Sequence, residues 1–174
     1  NGSTDLNALV DVTFSTSGLT RYRWPNSVGT TQVRALESPN ESTRRAGTYY
    51  TTGSGTATLT FGTAGFTGDL HLYVLDWDTT ARRQTVTVND GRLQTVAVTE
   101  AFDDGAWIHV PIEVGAGESV TITLSRDAGH SAVLAGVFLG EPEVDPVTVP
   151  GAPSGLSGTP GDGLVELSWT APGD

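Results

Sequence analysis

The sequence predicts an all-β protein whose main domain is a β-sandwich or jelly roll. Short segments in which apolar and polar residues alternate recur along the 174 residues, and Gly-rich turn sequences separate them. No segment combines the apolar period of an amphipathic helix with helix caps. Many short strands joined by such turns are typical of sandwiches and jelly rolls.

The first predicted strands lie before residue 70. They cover residues 10–14, 20–25, 33–36, 48–51 and 56–61. Pro25 ends the second strand, which we assign to a sheet edge because proline cannot donate a ladder hydrogen bond. Most residues between positions 26 and 47 carry charge or turn propensity without periodicity, and such a long loop inside a compact domain is more often functional than idle.

The segment 70–78 is the most informative part of the chain. It alternates as a strand and then reaches Asp76-Trp77-Asp78, in which two carboxylates flank an indole. Arg82 and Arg83 follow within one short loop. The alternation is explained by sheet formation, whereas the acidic and aromatic end requires a separate explanation.

The later predicted strands cover residues 85–88, 93–98, 106–112, 119–124 and 132–139. Asn89-Asp90-Gly91 predicts a hairpin because Asp-Gly accepts positive φ. Trp107 alternates with Ile108 and Val110, so it points outward or into a second layer, and we interpret it as a packing residue. The segment 132–139 is apolar on both faces and is predicted to be a central strand buried on each side.

The charge of the chain excludes several classes of partner. The net charge is -11, and all nine basic residues are Arg. Nucleic acid and anionic membrane surfaces are therefore not expected as partners. No apolar run is long enough to span a bilayer. The five Arg residues between positions 21 and 45 leave acidic polysaccharides open, and the Thr-, Gly- and Ser-rich composition without Lys favours a secreted bacterial protein.

The composition divides the chain into four segments. Residues 1–9 are a polar N-terminal segment, residues 10–140 the sandwich, residues 141–150 a Pro-rich acidic linker, and residues 151–174 a partial second domain. The last segment resembles the opening of a fibronectin type III domain in the following features: Pro150 and Pro153 at its start, the turn Gly161-Asp162-Gly163, and the pair Ser168-Trp169. The resemblance implies a truncated domain of two strands, too short to bury its own tryptophan.

The sandwich resembles a carbohydrate-binding-module-like accessory domain with a galactose-binding-like jelly roll. The residues that carry this resemblance are Trp24 and the segments 33–36, 45–50, 73–78, 82–84 and 133–140. Such modules occur beside fibronectin type III domains in secreted bacterial polysaccharide-active proteins. The resemblance implies a non-catalytic module that binds a polysaccharide and keeps an attached glycoside hydrolase or polysaccharide lyase domain close to it.

Eight residues are candidates for ligand binding. An indole face stacks on the C–H face of a sugar ring, and carboxylates and guanidinium groups hydrogen-bond its hydroxyls. The candidates are Trp24, Arg34, Arg45, Tyr50, Asp76, Trp77, Asp78 and Arg82. The alternative is that Asp76 and Asp78 pair with Arg82 or Arg83 and brace the strand end while Trp77 lies in the core. For the aromatic and Arg residues before position 51, the alternative is edge-strand packing with surface salt bridges.

Three further interpretations remain to be distinguished. A structural calcium ion could bind at Asp103-Asp104-Gly105 or at Asp76 and Asp78, although a generic acidic turn explains the former and no cofactor is certain. Catalysis is not expected, because an acidic chain offers carboxylate pairs by chance and the sequence has no Cys nucleophile, no Gly-x-Ser-x-Gly motif and no metal-ligand spacing of its histidines. The rival function is a structural spacer or adhesion module without a glycan ligand. A binder should expose two or more aromatic residues on one concave face or loop rim, whereas a spacer should bury all of Trp24, Tyr50, Trp77 and Trp107.

Overall fold

A computed structural model describes residues 11–37, 43–141 and 152–171. The chain divides into two compact units, Asn1–Pro142 and Glu143–Asp174. The strands of the first unit are β1 (Val12–Ser17), β2 (Thr20–Arg23), β3 (Leu36–Glu37), β4 (Arg44–Arg45), β5 (Gly47–Thr51), β6 (Ser54–Phe61), β7 (Phe66–Val74), β8 (Arg83–Asn89), β9 (Leu93–Val98), β10 (Ala106–Val114), β11 (Ser119–Ala128), β12 (Ala132–Leu134) and β13 (Gly136–Gly140). A 3-10 turn, Pro25–Ser27, follows the edge strand β2. No helix in the described part of the chain has the length and apolar character needed to cross a membrane.

One layer of the first unit is a five-stranded antiparallel sheet in the order β1-β6-β11-β8-β9. Its strands alternate strictly, as the sequence predicts for a half-buried sheet. On β6, Ala57, Leu59 and Phe61 are buried, and the Thr residues between them point to the other face. The predicted hairpin joins β8 to β9, with Gly91 at a φ of 104°.

The opposite layer consists of two three-stranded sheets, β10-β7-β13 and β12-β5-β2. Only Ala135 separates β12 from β13, and its backbone N–H donates to the Tyr73 carbonyl over 2.8 Å. The stretch therefore pairs first with β5 and then with β7, which links the two sheets into one layer. The prediction that residues 132–139 are buried on both sides is wrong for the second half, because Phe138 on β13 is 41% exposed.

The core lies between the two layers. Its largest fully buried apolar side chains are Leu59, Phe61, Leu70, Leu72, Ile112, Ile122, Leu124 and Leu134. Gln84 on β8 is also fully buried, and its amide donates to the Val133 carbonyl (2.9 Å) and accepts from the Val133 N–H (2.7 Å). Gln84 lies in the facing layer and provides hydrogen-bond partners for the backbone N–H and carbonyl of Val133. These two groups lie on the edge of β12 that does not pair with β5. The predicted all-β sandwich is confirmed.

Several element boundaries differ from the predictions. Val33–Ala35 form a turn rather than a strand, because the Ala35 N–H bonds to the Gln32 carbonyl over 3.1 Å. β7 ends at Val74, since the Asp76 N–H bonds to the Phe102 carbonyl (3.1 Å) instead of continuing the ladder. The predicted N-terminal segment 1–9 and nearly all of the linker 141–150 lie outside the described residues.

The second unit contains an antiparallel hairpin. Its strands are β14 (Ser154–Gly161) and β15 (Leu164–Thr170), at the positions predicted for the first two strands of the partial domain. Gly163 in the turn has a φ of 74°. Trp169 is 61% exposed, in agreement with the prediction that two strands are too few to bury it. Assignment of this hairpin to a fibronectin type III domain remains a prediction.

Candidate functional site

The outer face of the sheet β10-β7-β13 carries an aromatic cluster in which Trp107 and Phe138 are exposed and Tyr73 is buried. Alternation along β10 buries Ile108 and Val110 in the core and turns Trp107 outward, where it is 49% exposed. Its ring centroid lies 4.8 Å from that of Tyr73 on β7 and 5.4 Å from that of Phe138 on β13. We call Tyr73, Trp107 and Phe138 the aromatic sheet face.

Gly136 is required where this face meets the neighbouring loop. A Cβ at position 136 would lie 2.7 Å from the Phe138 ring and 2.8 Å from a methyl group of Leu36. Gly136 pairs with Tyr73 in the β13–β7 register, so the missing side chain leaves room beside the aromatic rings. A residue with any side chain would push Phe138 or Leu36 away.

Residues 32–37 form a wall along the aromatic sheet face, which we call the groove wall. Between wall and sheet lie two adjoining depressions of about 380 and 530 Å³. The first also contacts Phe138 and Arg44, and the second also contacts Asp104 and Gly105. Arg34, Tyr73 and Trp107 line both. These volumes are in the range of small-molecule binding sites.

Arg34 holds the groove wall in place. Its Nη1 donates to the Asp103 carbonyl over 2.5 Å, and its Nε donates to Gln32 Oε1 over 2.8 Å. Its guanidinium lies over the Trp77 ring, with Cζ 4.2 Å from the ring centroid, a cation–π contact. This predicted ligand residue therefore lines the groove while it ties the wall to the turn at Asp103.

Tyr73 ties the wall to the sheet. Its hydroxyl donates to the Arg34 carbonyl over 2.5 Å. Burial raises the pKa of Tyr73; the positive charge of Arg34 lowers it, and the negative charge of Asp104 adds to the increase. The phenol is therefore protonated at neutral pH and remains a hydrogen-bond donor.

Arg44 ties the far end of the wall to β4. Its Nη1 donates to the Ala35 carbonyl over 3.0 Å, and its Nη2 forms an ion pair with Glu37 at 3.1 Å. The predicted ligand residue Arg45 is exposed on the other side of β4, and Arg44 is the residue of this pair that lines the groove. Strand alternation explains the difference, since neighbouring side chains point to opposite faces.

Asp76, Asp78 and Arg82 form an ion-pair network that we call the charged brace. Arg82 Nη1 contacts Asp76 Oδ1 and lies 2.6 Å from Asp78 Oδ1, and its Nε donates to Ser131 Oγ over 3.2 Å. The Arg82 N–H also donates to Asp76 Oδ2 over 3.1 Å. Asp76 is completely buried and Arg82 is 5% exposed. Both groups satisfy each other inside the fold, which is the bracing arrangement that the sequence offered as the alternative to ligand contact.

Asp78 is the open end of the brace. Its side chain is 48% exposed. Burial tends to raise the pKa of Asp78, but the hydrogen bond from Arg82 and its positive charge outweigh burial and lower the pKa. The buried Trp24 Nε1 has no hydrogen-bond partner among the described residues.

Trp24 and Trp77 lie beneath the groove wall instead of presenting their faces to solvent. They are 4% and 6% exposed and pack with Ala35, Tyr73 and Leu75 in a second apolar cluster. Trp77 Nε1 donates to Asn26 Oδ1 over 3.1 Å. Both tryptophans, which the sequence offered as ligand candidates, are therefore buried, and Trp77 supports the Arg34 guanidinium from below.

Tyr50 lies away from the groove. It is partly buried on β5, with its ring centroid 6.1 Å from that of Tyr22. The predicted ligand residues do not include Trp107 and Phe138, which line the groove. The alternation of Trp107 with Ile108 and Val110 placed its ring on the outer face, where it packs against Tyr73 and Phe138 and remains half-exposed.

The described residues contain no cluster of side chains that supports the predicted calcium site. Among residues 11–37, 43–141 and 152–171, no group of three or more His, Asp or Glu side chains could hold a metal ion. Asp76 is paired with Arg82, and the Asp103 carbonyl accepts from Arg34. Gly105, with a φ of 88°, closes the turn that borders the second depression.

No family model matches the chain, and no curated protein matches it significantly. Among solved structures, the chain is similar to a family 61 carbohydrate-binding module in complex with β-1,4-galactotriose (TM-score 0.40, 12% identity, 71% of this chain and 90% of that chain). It is also similar to a family 35 carbohydrate-binding module from an environmental isolate (TM-score 0.40, 20% identity, 76% and 88%). A third is the exo-β-1,3-galactanase of Phanerochaete chrysosporium with β-1,3-galactotriose (TM-score 0.37, 24% identity, 74% of this chain and 30% of that chain). At these identities and scores, the similarity does not assign the chain to a family.

Proposed function

We propose that the first unit is a non-catalytic carbohydrate-binding module and that the groove beside the aromatic sheet face is its ligand site. The observation that carries the proposal is the exposure of Trp107 and Phe138, whose ring centroids are 5.4 Å apart on one sheet face. Of the four residues in the criterion that separates a binder from a spacer, Trp24 and Trp77 are buried and Tyr50 is partly buried, as expected of a spacer, whereas Trp107 is exposed, as expected of a binder. The exposed pair Trp107 and Phe138 is what supports the proposal.

The composition of the groove suits a neutral, hydroxyl-rich ligand. The rings of Trp107 and Phe138 offer apolar faces for the C–H side of a sugar ring. Polar groups surround them on both sides, with Glu37 and Arg44 in the first depression and Gln32 and Asp104 in the second. A few placed polar groups around an aromatic floor is the usual composition of a small-ligand site.

The carboxylates of the groove do not form a hydrolytic pair within either depression. Glu37 lines the first and is ion-paired with Arg44, and Asp104 lines the second. Glycoside hydrolysis needs an acid and a second carboxylate flanking one bond. This arrangement favours binding over catalysis in the described part of the chain.

A wider role follows from the proposed binding. In a secreted polysaccharide-active protein, this module would hold an attached catalytic domain near its substrate and raise the effective concentration. The secreted localisation rests on the composition and the sequence resemblance, the attached domain rests on the resemblance, and both are part of the proposal.

The test is glycan binding by the whole 174-residue chain and by two tryptophan variants. The first probes are β-1,4- and β-1,3-galactotriose, followed by a broader glycan array with calcium present. We expect Trp107→Ala to weaken binding by about tenfold or more, since stacking residues act as hot spots. Trp169→Ala is the matched control, because it removes an exposed tryptophan from the second unit.

Two outcomes would overturn the proposal. The first is a blank array for the folded wild-type chain, which would favour the spacer function. The second is a glycan that binds equally well to the wild type and to Trp107→Ala, which would place the site elsewhere. Circular dichroism melting of each variant establishes that it is folded; we expect a small change for Trp107→Ala because half of the side chain is exposed.

A further inference from the structure

Two of the three histidines in the chain meet on the outer face of β10-β7-β13. His71 on β7 and His109 on β10 are directly opposite in the antiparallel register. Their Nδ1 atoms are 2.6 Å apart, and the rings are nearly perpendicular, with centroids 4.7 Å apart. The Nδ1 atom of each ring therefore points to the same position between the two side chains.

The backbone fixes this convergence. Directly opposed residues on antiparallel strands have Cβ atoms about 4.5–5.5 Å apart, so both side chains start from neighbouring positions on one face. On the other side of His71, a Cβ at position 140 would lie 2.4 Å from His71 Nε2, so Gly140 is what permits the ring to lie there. The position of His71 is therefore set by the glycine as well as by the register.

The two neighbouring rows of described residues on this sheet face carry no positive charge. The row of residues on one side of the pair is Asp69, Pro111 and Gly140, and the row on the other side consists of Tyr73, Trp107 and Gly136. None of these is basic. The chain as a whole has a net charge of -11, which attracts cations.

We propose that His71 and His109 form a two-imidazole site for a divalent transition-metal ion that imidazole prefers, such as Zn²⁺, Ni²⁺ or Cu²⁺. A tetrahedral ion with metal–nitrogen bonds of about 2.0–2.1 Å holds two nitrogens about 3.3 Å apart. The pair therefore needs to open by less than about 1 Å, which side-chain rotation supplies. The proton shared between the two Nδ1 atoms moves through solvent to an Nε2, and both Nδ1 lone pairs bind the metal.

The protein supplies two ligands, and water completes the coordination. No third His, Asp or Glu of the described residues is grouped with this pair as a ligand cluster. The site differs from the groove in residues and in chemistry, so this proposal stands or falls independently of glycan binding.

The experiment is isothermal titration of the whole chain with NiCl₂ and with CuCl₂. The variants are His71→Gln, His109→Gln and, as matched control, His130→Gln, which removes the remaining histidine. We expect one ion per wild-type chain and an unchanged affinity for His130→Gln. Each of the other two variants should bind about tenfold more weakly or worse, because it retains half of the protein ligands.

Tryptophan fluorescence provides a second measurement at the same site. The Trp107 ring lies 6.5 Å from that of His109, so bound Cu²⁺ should quench its emission. Quenching should persist in His130→Gln and disappear in His109→Gln. Equal affinity and quenching in the wild type, His71→Gln and His109→Gln would overturn the proposal, as would an equal loss in His130→Gln. His109 is exposed, so its variant remains informative if His71→Gln fails to fold.

Discussion

Strand β7 contributes to two regions of different composition and opposite accessibility, the charged brace and the aromatic sheet face. The charged brace follows its C-terminal end, where Asp76 is completely buried and its partner Arg82 is 5% exposed. The aromatic sheet face lies on its outer side, where Trp107 is 49% exposed. The first region satisfies its polar groups internally, and the second leaves aromatic surface open to solvent. A motif of aromatic and charged residues therefore reveals little about function until the burial of each side chain is known.

The largest expected effect comes from breaking the brace. Asp76→Ala leaves the buried Arg82 guanidinium without its main partner, and such a loss costs about 3–5 kcal/mol of unfolding free energy. Asp78→Ala is the matched control, because it removes the exposed partner of the same guanidinium. We expect it to cost less than about 1 kcal/mol. Urea unfolding measures both values, and equal costs would contradict the division into a buried and an open end.

A smaller loss of folding stability is expected at low pH. Its source is Asp90, a partly buried carboxylate in the turn between β8 and β9. Burial alone would raise the pKa of Asp90, but hydrogen bonds from the Arg92 side chain and from the backbone N–H groups of Glu113 and Arg92 lower it to about 2. Because the pKa of Asp90 in the folded chain lies below the ordinary value of 3.8, its ionised carboxylate stabilises the fold. This stabilisation is complete above pH 3.8 and is lost as the pH falls through about 2.

The matched variant for this pH dependence is Asp90→Asn. We expect it to lower the unfolding free energy by about 1 kcal/mol at pH 6, since Arg92 is exposed and solvent screens the pair. The difference between wild type and variant should shrink as the pH approaches 2. Thermal unfolding between pH 2 and pH 7 measures it, and a difference that stays constant across this range would contradict the assigned role of Asp90.

The smallest expected effect on stability comes from substituting Arg44 or Arg45. Comparing the two variants tests which of these neighbouring arginines lines the groove. Arg44→Ala removes the contacts to Ala35 and Glu37 and should loosen the groove wall, with glycan affinity falling more than stability. Arg45→Ala changes an exposed side chain outside the groove and should alter stability by less than about 0.5 kcal/mol. Titration of the ligand identified for the wild type provides the measurement. Equal losses of affinity in the two variants would contradict the assignment of Arg44, and not Arg45, to the groove.

The fold was predictable because strand alternation is a local property. The strands of both layers, the hairpin at Gly91 and the edge strand before Pro25 follow from period, turn chemistry and the missing N–H of proline. The transfer of the stretch 132–140 from β5 to β7 was not predictable, because it depends on which strands lie beside it and not on its own residues.

The site was predictable only in part. Arg34 is predicted as a hydrogen-bond donor to the ligand from the chemistry of its guanidinium, and it does line the groove. Trp24 and Trp77 were chosen for their chemistry, but tertiary packing buries them under the groove wall. Trp107 and Phe138 come together through the registers of two different strand pairs with β7, and no spacing in the sequence encodes that proximity.

At Ala135 the chain changes its pairing partner from β5 to β7, and this has a consequence for how the aromatic sheet face can evolve. Before Ala135, the residues Ala132–Leu134 are buried between the layers, so most substitutions there would impair folding. After it, Phe138 faces the groove while its strand remains paired to β7. One continuous stretch of chain thus combines a constrained half with a permissive half. If the groove binds a glycan as proposed, its ligand preference can diverge through the second half while the first half preserves the architecture.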